Sequence, residues 1–279
     1  MLGLLASLAL AASPVVWLGP RPPRRPARVA TLAPSLTAMV KALGARDRLV
    51  AVSRYDDDPA VARLPRLGGL LDPSPEAILA ARPELLVVQP SPAIEPVLAR
   101  LAALGVPILE LSLTTISDVE QAERALGAAL DVRARGEQLA HALEVGISSA
   151  EAAAQGKPRP RVLMVYGWSP LVVAGPGAFA DALLRAAGGD NAASKARTAY
   201  AAYSVEEAAA SKPALILDLS FAEQVPAAWA RIPGLAHVRM VKPKSLALLH
   251  PGPELLLGLA ELQAALATLA APEPAKVLR

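Results

Sequence analysis

From residue 28 onward, short continuous apolar runs alternate with stretches whose apolar positions recur at helical spacing. The runs "RVATLAP", "RLVAVS", "ELLVVQ" and "VPILEL" predict strands. Between them, "SLTAMVKALG", the stretch that begins at Pro75 and "AIEPVLARLAAL" predict helices. Because these strands are apolar throughout and do not alternate with polar residues, they predict a parallel sheet that is covered by helices.

The segment 117–155 has no strand pattern. Its residues favour a helix throughout, with Gly127 and Gly136 as weak points. Ser117, followed three residues later by Glu120, predicts a capping box at the start of this helix. The segment therefore predicts one long helix that connects the two halves of the chain.

The second half repeats the alternation of strands and helices. It restarts at "RVLMVYG", after the break "QGKPRP", and ends in a long helix over 253–269. We predict an α/β fold: two Rossmann-like lobes with parallel sheets joined by one long backbone helix. The expected bounds are 1–27 for an N-terminal segment, 28–116 for the first lobe, 117–155 for the linking helix and 156–279 for the second lobe.

One stretch of sequence occurs twice. "SPEAILAARPELLVV" returns later as "SVEEAAASKPALILD". The matched residues lie 130 positions apart: Ser74 and Ser204, Glu76 and Glu206, Pro83 and Pro213. This period exceeds the ~20–50 residues of solenoid repeats, so it predicts two similar domains.

The N-terminal segment predicts export. "MLGLLASLALAAS" is an apolar run that ends in small residues, with Ala9–Ala11 as an A-x-A cleavage site, although no Lys or Arg precedes the run. The apolar stretch continues to Leu18 but is interrupted by Ser13 and Pro14, so an uncleaved membrane anchor is the alternative. The Pro- and Arg-rich stretch 21–28 is expected to be a solvated tether.

Composition narrows the class of protein. The 279 residues are 53% hydrophobic and 19% charged, which suffices for one large or two ordinary domains. The net charge of +3 is small and its arginines are scattered, so we expect no nucleic-acid partner. The chain has no cysteine, which excludes disulfides, thiolate metal sites, cysteine nucleophiles and lipid anchoring through cysteine.

The sequence also lacks motifs of catalysis and metal binding. It contains no nucleophile elbow, phosphate-binding P-loop or dinucleotide fingerprint, and the Gly-rich stretch 174–181 reads as a turn. His141, His237 and His250 are far apart, and the acidic run 56–58 lacks calcium-loop spacing, so we expect that run to be a solvated turn. We therefore predict neither an enzyme nor a metal site nor a cofactor.

Several stretches, in this order and spacing, resemble a known family. They are "RVATLAPSLTAMVKALGARDRLVAVS", "YDDDPAVARLPRLGG", "SPEAILAARPELLVV", "GAFADALLRAAGGDNAA" and "YSVEEAAASKPALIL" with "PGP" before the last helix. Together they cover roughly residues 28–269 and are similar to the class III, helical-backbone periplasmic solute-binding proteins of ABC importers. The resemblance is strongest to the cobalamin-binding members. It implies a periplasmic protein that delivers a small-molecule ligand to an ABC permease dimer with its ATPase subunits.

The resemblance also implies the residues that contact the ligand. Five residues match aromatic or polar cleft positions of that family: Tyr55, Tyr166, Trp168, Tyr200 and His250. Where the cobalamin-binding members have an aromatic residue in the first lobe, this chain has Leu70 or Leu71, and Asp58 takes another position that is often aromatic. The alternative ligands are therefore haem, with Tyr55 or His250 as its axial ligand, and ferric siderophores. The alternative function is that of a membrane-tethered sensor domain of the same fold.

The repeated stretch matches the docking surface of the family. The resemblance implies that Glu76 and Glu206 dock into arginine pockets on the two permease subunits, with Glu207 as a competing candidate in the second lobe. An acidic residue in the first helical turn is also favoured by the helix dipole, so simple capping is the alternative explanation.

Overall fold

The computed structural model describes residues 13–220, 226, 229 and 231–270. The strands of the first lobe are β1 (Val15–Leu18), β2 (Val29–Thr31), β3 (Leu49–Ala51), β4 (Leu85–Val88) and β5 (Ile108–Leu111). They form one sheet in the order β1-β5-β4-β2-β3, in which β2 to β5 are parallel as predicted. The helices of this lobe are α1 (Pro34–Ala42), α2 (Pro75–Ala81) and α3 (Glu95–Ala103).

The second lobe is built on a mixed sheet. Its strands are β6 (Arg161–Trp168), β7 (Leu171–Ala174), β8 (Asp190–Asn191), β9 (Tyr200–Ala202), β10 (Leu215–Asp218) and β11 (Arg239–Val241). The order is β11-β10-β6-β7-β9, with β8 also paired to β6. Strands β6, β8, β10 and β11 are parallel, whereas β7 and β9 run antiparallel to their neighbours, so the prediction of a parallel sheet holds for only part of this lobe. The helices are α6 (Phe179–Ala187), α7 (Val205–Ala210) and α8 (Leu255–Ala270).

The segment between the lobes contains two helices where the sequence predicted one. They are α4 (Ile116–Ala129) and α5 (Arg133–Ala154), and α5 alone is the long helix that joins the lobes. The predicted cap at Ser117 is also wrong, because the capping box forms between Thr115 and Asp118. A Cβ atom built on Gly127 would lie 2.9 Å from the Gly136 Cα atom, so these glycines mark a close approach of α4 to α5.

The long helix α5 contacts both lobes. At its start, the Arg135 side chain donates to the Ala42 carbonyl of the first lobe at 3.0 Å. Further along, α5 packs against α6 and α8 of the second lobe. The largest hydrophobic cluster runs from the first sheet through α4 and α5 to α6 and α8. A core that is continuous across the connection opposes large hinge motions of the lobes.

The first lobe begins earlier than the predicted residue 28. Strand β1 pairs antiparallel with β5, with Val15 opposite Leu111. The stretch that was expected to be a solvated tether is held in place, since the Ala27 N–H donates to the Glu84 carboxylate at 2.6 Å and Arg28 donates to the Ala81 carbonyl at 2.7 Å. The predicted signal lies mostly in residues 1–12, outside the described part of the chain. Among the helices that the structure describes, none has the length and apolarity needed to cross a membrane.

The repeated stretch folds in the same way in both lobes. The Ser74 and Ser204 hydroxyls each accept a hydrogen bond from the N–H three residues later, which caps α2 and α7. A residue in the left-handed conformation follows each helix: Arg82, with φ 45°, comes directly after α2, and Lys212, with φ 48°, comes two residues after α7. The strands that follow are β4 and β10. The period of 130 positions therefore corresponds to one helix–strand unit in each lobe.

Candidate functional site

A cleft with a volume of about 450 Å³ is lined by residues of both lobes. The first lobe contributes Leu32 to Ser35, Tyr55, Asp57, Leu70, Gln89, Leu113 and Thr114, and the second lobe contributes Tyr200, Leu246, Leu249, His250 and Pro251. The first-lobe residues all follow the carboxyl ends of β2 to β5, which is where ligands bind in open parallel sheets. The fold therefore brings loops from four strands to one wall of this cleft.

Tyr55 lies on the first-lobe wall of the cleft, and 61% of it is exposed. The Tyr55 N–H donates to the Ser53 hydroxyl at 3.2 Å, and the Arg54 guanidinium lies 5.2 Å from the centre of the tyrosine ring. A Cβ atom on Gly69 would lie 2.5 Å from the ring, so any side chain at position 69 would displace the ring from this position. Tyr55 is therefore an aromatic ring that is held in place at the wall of the cleft and is open to solvent.

The acidic run after Tyr55 does not form the expected solvated turn. Asp56 is 5% exposed and accepts a hydrogen bond from the Thr37 hydroxyl at 3.1 Å. Burial raises the pKa of Asp56, while the hydrogen bond from Thr37 and the charge of Arg66 oppose the rise. Asp58 forms an ion pair with Lys41, and Asp57 is the member of the run that lines the cleft. Asp56 thereby anchors the loop that presents Tyr55.

Tyr200 and Tyr166 form the aromatic part of the second-lobe wall. Tyr200 lines the cleft and is 44% exposed, and burial raises the pKa of its phenol to about 12. The Tyr166 ring packs edge-on against the Tyr200 ring with centroids 5.1 Å apart, and its hydroxyl donates to the Leu248 carbonyl at 2.7 Å. Tyr166 does not itself line the cleft among the residues that the structure describes. Tyr166 therefore packs against Tyr200 on the side away from the cleft and holds its ring in place.

His250 faces the same cleft from the second lobe. Burial lowers the pKa of its imidazole, and the charges of Asp57 and Glu254 act in the opposite direction. The balance favours a neutral imidazole near neutral pH. Asp57 and His250 belong to different lobes, so this electrostatic contact crosses the cleft.

Trp168 lies in the core of the second lobe and not in the cleft, contrary to the sequence-based expectation. It is 8% exposed, its ring N–H donates to the Asp218 carboxylate at 3.0 Å, and its ring packs edge-on against Trp229 with centroids 4.5 Å apart. A buried tryptophan whose N–H is satisfied is a structural residue.

The cleft offers mainly apolar surface and uncharged polar groups. Among its described lining residues, the side chain that carries a full charge is Asp57. The positions between 220 and 231 that the structure leaves undescribed contain no lysine or arginine in the sequence. No group of three or more His, Cys, Asp or Glu side chains is placed to hold a metal ion within the described ranges. The cleft is therefore suited to noncovalent contacts with a ligand that presents apolar surface and some polar groups.

A family model described as periplasmic binding protein matches residues 29–251. The chain belongs to this family. As a member it is a solute-binding component of transport and not an enzyme, and its lobed α/β architecture is that of the family. The match spans both lobes and both walls of the cleft.

Individual relatives bind two kinds of tetrapyrrole. The chain is 28% identical to the vitamin B12-binding protein of Salmonella typhimurium over 213 residues, which are 76% of this chain and 77% of that protein. The periplasmic haem-binding protein RhuT of Roseiflexus in apo form matches with a TM-score of 0.76 and 28% identity, over 88% of this chain and 99% of that one. A periplasmic haem-binding protein of Pseudomonas aeruginosa matches with a TM-score of 0.74 and 30% identity, over 89% and 95% of the two chains.

The two docking candidates of this family member lie at equivalent places on the two lobes. Glu76 and Glu206 are both exposed and sit in the first turns of α2 and α7. The structure also distinguishes Glu206 from the competing candidate Glu207. The Glu207 carboxylate accepts a hydrogen bond from the Ser204 N–H at 2.7 Å and completes a capping box, so it is already engaged. Glu206 is left as the glutamate that corresponds to Glu76.

Several cleft residues were not singled out from the sequence. Gln89 and Thr114 line the cleft, and Gln89 donates to the Ser35 hydroxyl at 3.0 Å. A sequence signal was present for both, because Gln89 is the last residue of one predicted strand of the parallel sheet and Thr114 lies three residues after another. Leu246 and Leu249 lie in a stretch without regular strands or helices, where no sequence pattern marks a position as facing a cleft.

Proposed function

We propose that this protein binds cobalamin in the cleft between its lobes and delivers it to an ABC importer. The main support for this proposal is the composition of the cleft. Its walls are apolar and contain two partly exposed tyrosines and uncharged polar groups, and none of its described side chains is cationic. A corrin ring presents large apolar faces and a rim of amide groups. Tyrosine rings match those faces, and groups such as Gln89 and Thr114 are suited to hydrogen bonds with the amides.

The charge of the cleft separates cobalamin from the alternative ligands. Haem carries two carboxylates, and many ferric siderophore complexes are anionic, so both call for cationic side chains in or around the site. The described part of this cleft contains instead the carboxylate of Asp57, and burial holds His250 towards its neutral form. An anionic ligand would therefore lie near a like charge, and no cationic side chain among the described lining residues would offset it, which disfavours binding.

Haem remains the second candidate because of two particular residues. Tyr55 and His250 face the cleft from opposite lobes, and both a phenol and an imidazole can bind haem iron. The haem-binding relatives are as similar to this chain as the vitamin B12-binding ones.

Parallel titrations with cyanocobalamin and haemin decide between the two ligands. The protein should begin at Ser13, so that strand β1 is kept, and binding should be followed by heat and absorbance. We expect saturable cyanocobalamin binding that is at least tenfold tighter than haemin binding, a difference of about 1.4 kcal/mol. Tighter haemin binding would replace cobalamin by haem, and saturable binding of neither would refute the tetrapyrrole assignment.

We also propose that Glu76 and Glu206 dock on the two permease subunits. An equivalent acidic residue on each lobe suits a two-fold partner, because each lobe then meets the same surface. Both carboxylates are exposed. Ser74 and Ser204 cap their helices by accepting from the backbone N–H three residues later, and the Ser74 hydroxyl also donates to the Glu76 carboxylate at 3.4 Å.

The docking proposal is tested with the double variant Glu76→Ala/Glu206→Ala in proteoliposomes that contain the importer. Cyanocobalamin affinity should stay unchanged and Tm should fall only slightly, because each helix loses a favourable dipole contact of at most about 1 kcal/mol, while uptake and stimulated ATP hydrolysis are lost. The double Arg variant should be worse, because like charges would then face each other. Glu144→Ala/Glu151→Ala on α5 removes two exposed acids elsewhere and serves as the control. Normal uptake by the first variant would refute the docking role and would leave Glu76 and Glu206 as residues that stabilise the first turns of their helices.

We infer further that the protein is exported and cleaved near Ala9–Ala11. Cleavage there leaves Val15–Leu18 in the mature chain, where it is needed as edge strand β1. An uncleaved N-terminus would leave only a few residues between a membrane anchor and β1, so the first lobe would be held close to the membrane. The intact mass of the protein from a periplasmic extract distinguishes the two outcomes.

A further inference from the structure

A second concave site lies on the second lobe, away from the cleft. It has a volume of about 490 Å³ and runs along α7 and the loop between β8 and β9. We call it the basic pocket. The residues that give it its character are Arg161, Lys195, Arg197, Tyr203, Glu207 and Ser211. It shares no lining residue with the cleft.

The basic pocket has a surplus of positive charge. Arg161 is fixed across it by hydrogen bonds from its guanidinium to the Ser211 carbonyl at 2.9 Å and the Ala192 carbonyl at 3.2 Å. Lys195 and Arg197 are exposed, and neither has an ion pair with any residue that the structure describes. The single lining acid, Glu207, is engaged in capping α7. Cations with free donors in a concave site are complementary to carboxylates.

The first lobe differs at the positions that match these cations. The residues 130 positions before Lys195 and Arg197 are Pro65 and the fully buried Leu67. Arg66 lies between them, and its guanidinium is held by hydrogen bonds to two backbone carbonyls. The nearby cation Arg54 of the first lobe is paired with Asp72. The basic pocket is therefore a feature of one lobe, although the helix–strand unit beside it occurs in both.

We propose that the basic pocket receives an acidic side chain of the permease when the second lobe docks. The argument rests on the docking role of Glu206, which immediately precedes the pocket residue Glu207 on α7. Because Glu206 is adjacent to the pocket, a partner whose arginine contacts Glu206 would place the residues beside that arginine over the pocket. Lys195 and Arg197 then meet a carboxylate while Glu206 meets a cation, so the second lobe makes contacts of both signs. Paired contacts of opposite sign fix the register of an interface and reject wrong partners.

The test compares three pairs of substitutions in the ligand-loaded protein, measured as binding to the purified importer. Lys195→Glu/Arg197→Glu should weaken docking about tenfold, with most of the loss in the association rate and a reduced dependence on salt. Lys195→Gln/Arg197→Gln should fall between this variant and wild type. Arg100→Glu/Arg133→Glu changes the net charge equally at exposed positions elsewhere and should dock normally. Cyanocobalamin affinity and Tm should be unchanged in all three.

Three outcomes would overturn the proposal. The first is docking of the Lys195→Glu/Arg197→Glu variant as tightly as wild type. The second is an equal loss in the Arg100→Glu/Arg133→Glu control, which would trace the effect to net charge. The third has two parts: the isolated wild-type protein binds inorganic phosphate, and Lys195→Glu/Arg197→Glu abolishes that binding without changing docking. The pocket would then be a site for free anions. A wild-type protein that does not dock at all would instead refute the proposed function.

Discussion

Glu123 on α4 is a buried carboxylate in the connection between the lobes, and its replacement has a calculable effect. The residue is 1% exposed, and its Oε2 atom has no hydrogen-bond partner within the described residues. Burial, reinforced by the Glu120 charge, raises the pKa of Glu123 from an ordinary 4.5 to about 7. Arg124 opposes the rise only partly, since its guanidinium also contacts Glu120 at 3.9 Å and Glu137 at 3.0 Å.

The sign of the pH dependence follows from the raised pKa. Between pH 4.5 and about 7 the folded protein keeps the Glu123 proton while the unfolded chain has lost it. The stability that this group contributes is therefore complete below pH 4.5 and is lost as the pH rises to about 7. A pKa rise of about 2.5 pH units corresponds to about 3 kcal/mol of the free energy of unfolding. Glu123→Gln cannot ionise, so it should gain up to about 3 kcal/mol over wild type at about pH 8 and almost nothing at about pH 4.5.

Urea unfolding of wild type and Glu123→Gln, followed by circular dichroism at acidic, neutral and alkaline pH, measures this difference. Glu151→Gln is the matched control, because it removes an exposed carboxylate from α5. The control should follow the wild-type curve at every pH. The reasoning is refuted if Glu123→Gln differs from wild type by the same amount at all pH values, or if it is the less stable protein at alkaline pH.

Three further predictions concern the cleft and the packing of the lobes. Tyr55→Ala should weaken cyanocobalamin binding by about 1–3 kcal/mol with little change in Tm. Trp168→Ala should instead lower the free energy of unfolding by about 3–5 kcal/mol. Cyanocobalamin titration and thermal melts of both variants measure these effects. Gly127→Ala should cost about 1–3 kcal/mol in urea unfolding, because its Cβ atom would meet the Gly136 Cα atom at 2.9 Å. Because burial lowers the pKa of His250, the stability it contributes is present above about pH 6.5 and is lost as the pH falls through the lower folded-state pKa. Melts of His250→Gln should therefore show a weaker loss of Tm on acidification than wild type, and equal losses would contradict this assignment.

The sequence predicted the helix–strand units well, because their signals are local, whereas the candidate cleft residues came from the family resemblance. Ser74 and Ser204 cap their helices as the pattern indicated, and Tyr55, Tyr200 and His250 all line the cleft. Tyr55 and His250 lie in loops and Tyr200 begins the short strand β9, so none of the three is placed on the apolar face of a predicted helix. Trp168 lies at the end of a strand whose residues are mostly buried, and no periodicity indicates which side of such a strand faces a ligand.

Other features depended on contacts that no local pattern contains. The turn between α4 and α5 uses Asp131 with φ 58°, where the sequence offers neither glycine nor proline. The residues around it are good helix formers, so the break follows from the packing of Gly127 on Gly136. Strand β1 was hidden because Val15–Leu18 continues an apolar run that reads as a signal or anchor. It becomes a strand only because the edge of β5 is free to pair with it.

The cleft tyrosines and the docking glutamates are close together along the chain, which affects how variants must be interpreted. In the second lobe, Tyr200 begins the strand that leads directly into α7 and Glu206. In the first lobe, the loop that carries Tyr55 is tied back to the start of α2 by the ion pair of Arg54 with Asp72. A substitution at either tyrosine can therefore displace a docking residue without touching it. Uptake alone does not separate these roles, whereas cyanocobalamin affinity and importer affinity, measured separately on each variant, assign each residue to the cleft, to docking or to both.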